Sequence, residues 1–281
     1  MSPVKEPHFF SYDGVPPNSQ GPKDFVNTAI TDIATYTQLF ADVKTEKAIG
    51  EASPTYLYLP KAIERIAYYI PDAHFIVILR HPADRAFSAY MHVVRDHRET
   101  SVDFYEALKR EDERFTQNWG PIWHYMRVGY YYPQLKRYYD RFDPARINVH
   151  IYDDFNSNPQ QTIQSIFDFL EVDTQFTPDM TQRVNVSGTP KSKIVDFLIN
   201  TFFTKKNPIR YVARRVLSEK SRWLFTTNVR NRNLVQQRIP PEIRWDLTQQ
   251  FREDILRLEE LINRDLSHWL RPESEIDSQL F

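Results

Sequence analysis

The stretch from Phe75 to Arg95 combines a strand, a sharp turn and a helix, and it limits the fold more than any other part of the sequence. Phe75-Ile76-Val77-Ile78-Leu79 is a continuous apolar run of mainly β-branched residues, which is typical of a strand buried on both faces of a parallel sheet. Pro82 suits the first position of a helix, and a helix is predicted from there to Arg95. Because ligands of open α/β sheets bind beyond the carboxyl ends of the strands, Arg80 is expected to lie at a ligand-binding edge.

A second unit of the same kind is predicted between residues 147 and 170. Ile147, Val149 and Ile151 alternate as in a strand, Asp153-Asp154 end it, and Asn158-Pro159 begin a helix with its apolar side turned inward. Strands that alternate with helices predict an α/β fold around a central parallel sheet.

Three further helices and one more short strand are predicted. Apolar residues recur at helical spacing over 28–43 and over 62–70, and residues 48–54 resemble a short strand that ends in a polar turn. A long helix opened by Pro240-Pro241 has apolar residues at spacings of three and four, and we expect it to pack against the sheet. The sequence has no internal repeat and no low-complexity tract, so residues 1–281 are predicted to form a single domain.

The composition excludes several classes of protein. A hydrophobic fraction of 41% and a charged fraction of 26% are ordinary for a soluble globular protein. The chain has no cysteine, which excludes disulfides, thiolate nucleophiles and cysteine metal sites and makes a cytoplasmic setting the default expectation. No apolar run approaches the roughly 18 residues of a membrane-spanning helix, and the first 30 residues have no signal-peptide pattern.

Positive charge is concentrated in the segment 205–238, although the net charge of the chain is only −1. The segment has ten Lys or Arg residues and a single acid, Glu219. Three interpretations stay open: a cap over an anionic ligand, a surface helix that makes peripheral membrane contact through Trp223-Leu224-Phe225, or a solvated face. No nucleic-acid partner is predicted, because no recognisable nucleic-acid-binding fold accompanies the charge.

Arg80 and Ser88 form a candidate anion site. An arginine at the end of a strand can bind a phosphate with two parallel hydrogen bonds, and a serine on the next helix can donate its hydroxyl to the same anion. Taken alone this pattern is weak, because an arginine in such a place is more often a surface ion-pair partner.

Several short stretches, in a fixed order, resemble those of sulfotransferases that use 3′-phosphoadenosine 5′-phosphosulfate (PAPS). The likeness is closest to bacterial proteins related to the heparan-sulfate sulfotransferase group, and it covers nearly the whole chain. The resemblance implies a P-loop-NTPase-like three-layer α/β fold with a central parallel sheet, PAPS as co-substrate, a hydroxyl-bearing acceptor and no metal. The stretches are Lys5-Glu6-Pro7-His8-Phe9-Phe10, Gly50-Glu51-Ala52-Ser53-Pro54-Thr55-Tyr56, Ile78-Leu79-Arg80-His81-Pro82 with Ser88, Gly129-Tyr130-Tyr131, Tyr152-Asp153-Asp154 and residues 264–270.

The resemblance also implies roles for particular residues. Arg80 and Ser88 match, with the family's spacing, the pair that holds the 3′-phosphate of PAPS. Glu6 matches the carboxylate that acts as general base toward the acceptor hydroxyl, and His8 matches a histidine beside it. A solvated loop glutamate and a structural histidine are the alternatives for these two.

Three more residues are implied near the cofactor. Tyr131 matches a tyrosine near the adenosine, although an aromatic packed in the core is an equal alternative. Ser187 and Lys191 lie where a second cofactor loop is expected, or in a plain surface connection. The sequence departs from the pattern at two places: Ser11 stands where an aspartate often occurs in the family, and Ala52 where relatives have a lysine.

The family's glycine-rich phosphosulfate loop has no match in this sequence. The chain has six glycines, of which Gly14 is the first, and it has no Walker-type motif. Strand, loop and helix need on the order of 30 residues, which in relatives precede the segment matching Ser2–Pro7. The sequence therefore predicts an N-terminally incomplete domain with weak PAPS binding, unpaired sheet edges and low stability. A non-catalytic binding or scaffold subunit is the main alternative function, and a P-loop kinase a remote one.

Overall fold

A computed structural model describes residues 1–22, 25–101, 103–178, 189–192, 234–235 and 237–272. The strands are β1 Phe75–Leu79, β2 Ile147–Ile151, β3 Thr189–Pro190 and β4 Leu234–Val235. The helices are α1 Phe9–Tyr12, α2 Ile33–Gln38, α3 Thr55–Tyr58, α4 Pro60–Tyr69, α5 Pro82–Arg95, α6 Phe104–Lys109, α7 Glu111–Thr116, α8 Tyr131–Arg141, α9 Tyr152–Ser157, α10 Pro159–Phe169 and α11 Pro241–Ile262. Short 3-10 turns occupy Phe25–Thr28, Pro121–Trp123, Arg127–Gly129, Pro144–Arg146 and Ser267–Leu270.

The two predicted strand units form the small parallel sheet of a mixed α/β fold. β1 pairs with β2 in parallel, from Phe75 opposite Ile147 to Leu79 opposite Ile151. The carboxyl ends of both strands therefore meet at one edge, where α5 and α9 begin. The predicted strand, turn and helix at 75–95 is confirmed.

The expected burial of β1 on both faces is wrong within the described part of the chain. Ile76 is 39% exposed and Ile78 48% exposed, whereas Leu79 at the end of the strand is buried. Phe75 packs against Tyr138 and Phe142 of the α8 region, with ring centroids 5.0 and 4.6 Å away. One face of β1 thus contacts the helical core, and the described residues leave the other open.

The long C-terminal helix packs chiefly on other helices, whereas the sequence predicts packing against the sheet. α11 contacts α8 and α5, and its buried residues include Leu247, Phe251 and Ile255. The ring of Phe251 lies against Gly129, where a Cβ atom would come within 2.8 Å of it. A side chain at Gly129 would push the two elements apart.

Two local predictions also change. The helix expected over 28–43 is confined to α2. Its start is fixed by Asp32, whose side chain accepts a hydrogen bond from the Thr35 backbone nitrogen at 2.7 Å. Residues 48–54 form no strand; their polar side chains bind other parts of the chain instead. Within the described residues, no helix combines the length and the apolar character needed to cross a bilayer.

A buried ion pair joins the loop after α5 to α7. The side chains of Arg114 and Glu99 are each 1% exposed and form two hydrogen bonds, one of them 3.0 Å long, and Glu99 also accepts from the Tyr125 hydroxyl at 2.5 Å. We expect Arg114→Met to lower the free energy of unfolding by about 3–5 kcal/mol, because it leaves the Glu99 carboxylate buried without its partner. Urea denaturation measures this loss. Arg110→Met, at a half-exposed pair nearby, is the control and should change stability by less than about 1 kcal/mol.

Candidate functional site

Arg80 follows β1 directly and lies at the carboxyl edge of the sheet. Its guanidinium stands over the ring of Tyr152, 5.2 Å from the centroid, and its carbonyl accepts a hydrogen bond from the Tyr131 hydroxyl at 3.0 Å. Among the described residues, no carboxylate lies within ion-pair distance of Arg80. The described residues therefore offer Arg80 no surface ion pair, and the half-buried cation can bind an external anion.

Ser88 lies on the second turn of α5, half-buried. β3, at Thr189–Pro190, lies against this helix, and the exposed Lys191 follows it. The structure thus brings one end of the predicted second cofactor loop to the helix that holds Ser88. Ser187 and most of the basic segment 205–238 lie outside the described residues.

Tyr131 is a buried residue whose hydroxyl binds the Arg80 carbonyl. It is 4% exposed, and burial raises the pKa of its hydroxyl to about 12. The backbone nitrogens of Tyr131 and Tyr132 donate to the Asp254 carboxylate of α11, at 2.8 and 3.2 Å. The ring has the packed position that the sequence left open as the alternative, and its hydroxyl fixes the turn after β1.

His81 fixes the same turn from the other side. It is 1% exposed, and its Nε2 donates to the carbonyl of Trp269 at 3.0 Å. Burial lowers the pKa of His81 to about 4, with the Asp84 carboxylate 3.8 Å from Nδ1 opposing the shift. Asp84 in turn binds the guanidinium of Arg244 twice, at 2.9 and 3.1 Å. The imidazole is therefore neutral at physiological pH.

The lowered pKa of His81 predicts acid sensitivity. An unfolded histidine takes up a proton near pH 6.5 but folded His81 only near pH 4, so its contribution to stability is present above pH 6.5 and is lost as pH falls toward 4. At about 1.4 kcal/mol per pKa unit, the loss is roughly 3 kcal/mol. Urea denaturation of His81→Gln across this range should give a flatter pH profile than the wild type. The exposed His74→Gln control should keep the wild-type slope, and an unchanged slope in His81→Gln would refute the assignment.

Glu6 and His8 come together at the start of α1. Both residues have left-handed backbone conformations, with φ of 54°. The Glu6 Oε2 atom lies 3.8 Å from the His8 Nε2 atom, with Glu6 half-buried and His8 only 3% exposed. The His8 Nδ1 atom hydrogen-bonds the Thr55 hydroxyl at 2.9 Å, and that hydroxyl also contacts the Ser11 Oγ atom at 2.8 Å. Ser11 thus joins the same polar cluster from the position where an aspartate often occurs in relatives.

The sequence did not assign roles to Glu51, Ser53 and Thr55, although they lie in a stretch that contributes to the family resemblance. The sequence feature that could have identified them is a polar side chain at every second position, 51, 53 and 55, between two apolar segments. Among the described contacts, no hydrogen bond joins the Glu6 cluster to Arg80. The described side chains contain no cluster of three or more metal-ligating groups.

A cavity of about 1020 Å³ lies between α7, α8 and α11, and neither Glu6 nor Arg80 lines it. Glu111 lines it, and its carboxylate accepts hydrogen bonds from the backbone nitrogens of Met126 and Arg127, at 2.7 and 2.9 Å. Burial raises the pKa of Glu111. The two backbone hydrogen bonds give Glu111 a structural role. The volume of this cavity is therefore no evidence that it is the functional site.

The comparisons with known proteins identify the family of the chain. The model of the sulfotransferase family matches residues 11–177, more than half of the chain, and the chain therefore belongs to the sulfotransferase family. The matched region contains Arg80, Ser88 and Tyr131, whereas Glu6 and His8 precede it.

The chain is also similar to the crystal structure of a sulfotransferase from Alicyclobacillus acidocaldarius. The two are 35% identical over 96% of this chain and 87% of the other, with a TM-score of 0.72. No curated protein sequence matches the chain.

Proposed function

We propose that this chain transfers a sulfuryl group from PAPS to a hydroxyl of a carbohydrate, a lipid or another small metabolite, on a P-loop-like three-layer fold. The observation that carries the proposal is Arg80, a half-buried cation without an ion-pair partner among the described residues, at the carboxyl edge of a parallel sheet. Family membership and the neighbouring Ser88 on α5 support it. In this assignment the two side chains bind the 3′-phosphate of PAPS.

Glu6 is the general base in the proposed reaction. An alcohol is a weak nucleophile until a positioned base takes its proton. The Glu6 carboxylate accepts that proton while the acceptor oxygen forms its bond to sulfur and the bond from sulfur to the phosphate oxygen breaks, leaving adenosine 3′,5′-bisphosphate. His8, fixed by Thr55, lies beside Glu6 and stabilises its charge or relays the proton.

A non-catalytic binding subunit is the second candidate function. The sequence observation that favours it is the lack of a glycine-rich phosphosulfate loop in these 281 residues. Such a protein would bind the nucleotide part of PAPS through Arg80 without holding the sulfate for transfer.

Incubation with ³⁵S-labelled PAPS and a panel of carbohydrate, lipid and small hydroxyl acceptors separates the two functions. The proposed enzyme gives labelled acceptor and adenosine 3′,5′-bisphosphate in equal amounts. Nucleotide binding without labelled product from any acceptor would support the binding subunit.

A further inference from the structure

Glu51 lies behind the Glu6–His8 pair and binds the groups that hold the start of α1. One oxygen of its carboxylate accepts from the Ser53 hydroxyl at 2.9 Å, and the other from the Tyr56 hydroxyl. The Ser53 Oγ atom accepts the backbone N–H of His8 at 3.0 Å, and the Tyr56 oxygen accepts that of Phe10 at 3.4 Å. Two hydroxyls thus connect one carboxylate to the backbone on either side of Phe9.

The direction of these hydrogen bonds follows from the chemistry of the carboxylate. An ionised carboxylate can only accept, so the hydrogens of both hydroxyls point at Glu51 and their lone pairs face the backbone N–H groups of His8 and Phe10. Hydrogen bonds arranged in such a chain polarise and strengthen one another. Glu51 therefore sets the orientation of two hydroxyls that would otherwise rotate freely.

The residue between them, Phe9, is contacted by Tyr36. The two rings stack with centroids 4.3 Å apart. Burial raises the pKa of the Tyr36 hydroxyl, and the charge of Glu51 adds to that shift. Residues 8 and 10 are thus each contacted by a hydroxyl that binds Glu51, and residue 9 by a ring whose hydroxyl senses the Glu51 charge. At the other end of α1, Arg65 donates to the carbonyls of Phe10 and Ser11, at 3.0 and 2.6 Å.

The backbone at this place needs such support. Glu6 and His8 both lie in the left-handed region, which is unfavourable for residues other than glycine and persists only where the surroundings enforce it. The imidazole direction depends on the His8 backbone, since only that direction brings Nδ1 to Thr55 and Nε2 toward Glu6.

We propose that Glu51 is a positioning residue, which fixes the backbone of residues 8–10 and thereby aligns His8 with Glu6. Its catalytic meaning rests on the proposed function, but its effect on the His8 ring does not. Burial raises the pKa of Glu51, and the hydroxyl bonds oppose that shift.

The test replaces Glu51 by glutamine in the full chain and follows the ¹⁵N chemical shifts of the His8 imidazole, assigned with a His8→Gln variant. The wild type should show one well-defined shift for each ring nitrogen. In Glu51→Gln the amide can accept from one hydroxyl only, so the ring is held less firmly and the two ring-nitrogen shifts should move toward each other. Glu64→Gln, an exposed carboxylate on α4, is the matched control and should leave the shifts unchanged.

Activity gives the second readout. With labelled PAPS, kcat of Glu51→Gln should fall about 10-fold to 100-fold while the affinity for adenosine 3′,5′-bisphosphate stays unchanged. Tyr56→Phe removes one of the two hydroxyls and should reproduce part of both effects, which keeps the test decisive if Glu51→Gln fails to fold. The proposal would be overturned if the His8 shifts were unchanged in both variants. If Glu51→Gln does not fold, unchanged shifts in Tyr56→Phe alone would overturn it. Altered shifts in a chain that transfers no sulfuryl group would support it and count against the proposed function alone.

Discussion

Replacing Glu6 by glutamine is expected to lower kcat for sulfuryl transfer by about 100-fold to 10,000-fold, the usual contribution of a positioned general base. Glutamine keeps the size of the side chain but cannot take a proton from the acceptor hydroxyl. Because Glu6 lies in the His8 cluster and makes no described contact with Arg80, nucleotide affinity should stay at the wild-type value. Initial rates with labelled PAPS at saturation, together with calorimetric titration of adenosine 3′,5′-bisphosphate, measure both quantities.

The control for Glu6→Gln is again Glu64→Gln, which removes an exposed carboxylate outside the cluster. It should leave both kcat and nucleotide affinity unchanged. A Glu6→Gln enzyme with wild-type kcat would contradict the assignment of Glu6 as base. A fall in nucleotide affinity as large as the fall in kcat would instead place Glu6 in the binding of the donor.

Replacing Arg80 by methionine is expected to weaken the binding of adenosine 3′,5′-bisphosphate by about 100-fold, since a charged hydrogen bond contributes roughly 1.5–3 kcal/mol and a guanidinium can form two of them. Methionine retains an unbranched apolar side chain over the Tyr152 ring, so the turn after β1 should stay in place. The carbonyl of residue 80 still accepts from Tyr131 in the variant.

Arg252→Met is the control for Arg80→Met. Arg252 is an exposed arginine of α11, and its replacement removes the same charge from the chain as a whole. Calorimetry should find wild-type affinity for this variant. Equal affinities in Arg80→Met and Arg252→Met would show that Arg80 does not bind the nucleotide.

Local patterns predicted the elements that hold Arg80. The apolar run before it, the proline after it and the helical spacing beyond Pro82 are all properties of neighbouring residues, and the structure confirms them as β1 and α5. The same holds for the helix opened by Pro240-Pro241, whose apolar spacing is visible within one segment.

Contacts between distant residues were not predictable in this way. The hydrogen bond from Tyr131 to the Arg80 carbonyl spans 51 positions, and that from the Tyr131 nitrogen to Asp254 spans 123. Burial of Tyr131 and packing of α11 follow from such contacts, which no periodicity encodes. The open face of β1 has the same origin, because exposure of Ile76 and Ile78 depends on which elements cover the strand.

The sequence predicted only some members of the polar cluster around Glu6. The resemblance pointed to Glu6 and His8 but gave no role to Glu51, which contacts the backbone of residues 8 and 10 through the hydroxyls of Ser53 and Tyr56. The incompleteness of the N-terminal part of the domain, as expected from the sequence, stays a prediction. So do the roles of Ser187, Lys191 and the basic segment 205–238.

The binding of two nucleotides that differ only in the 3′-phosphate tests the central claim most directly. Calorimetry of the wild-type chain should find adenosine 3′,5′-bisphosphate bound about 100-fold more tightly than adenosine 5′-phosphate, and this ratio should fall toward one in Arg80→Met. Equal affinity of the wild type for the two nucleotides, or a ratio that survives in Arg80→Met, would contradict the account.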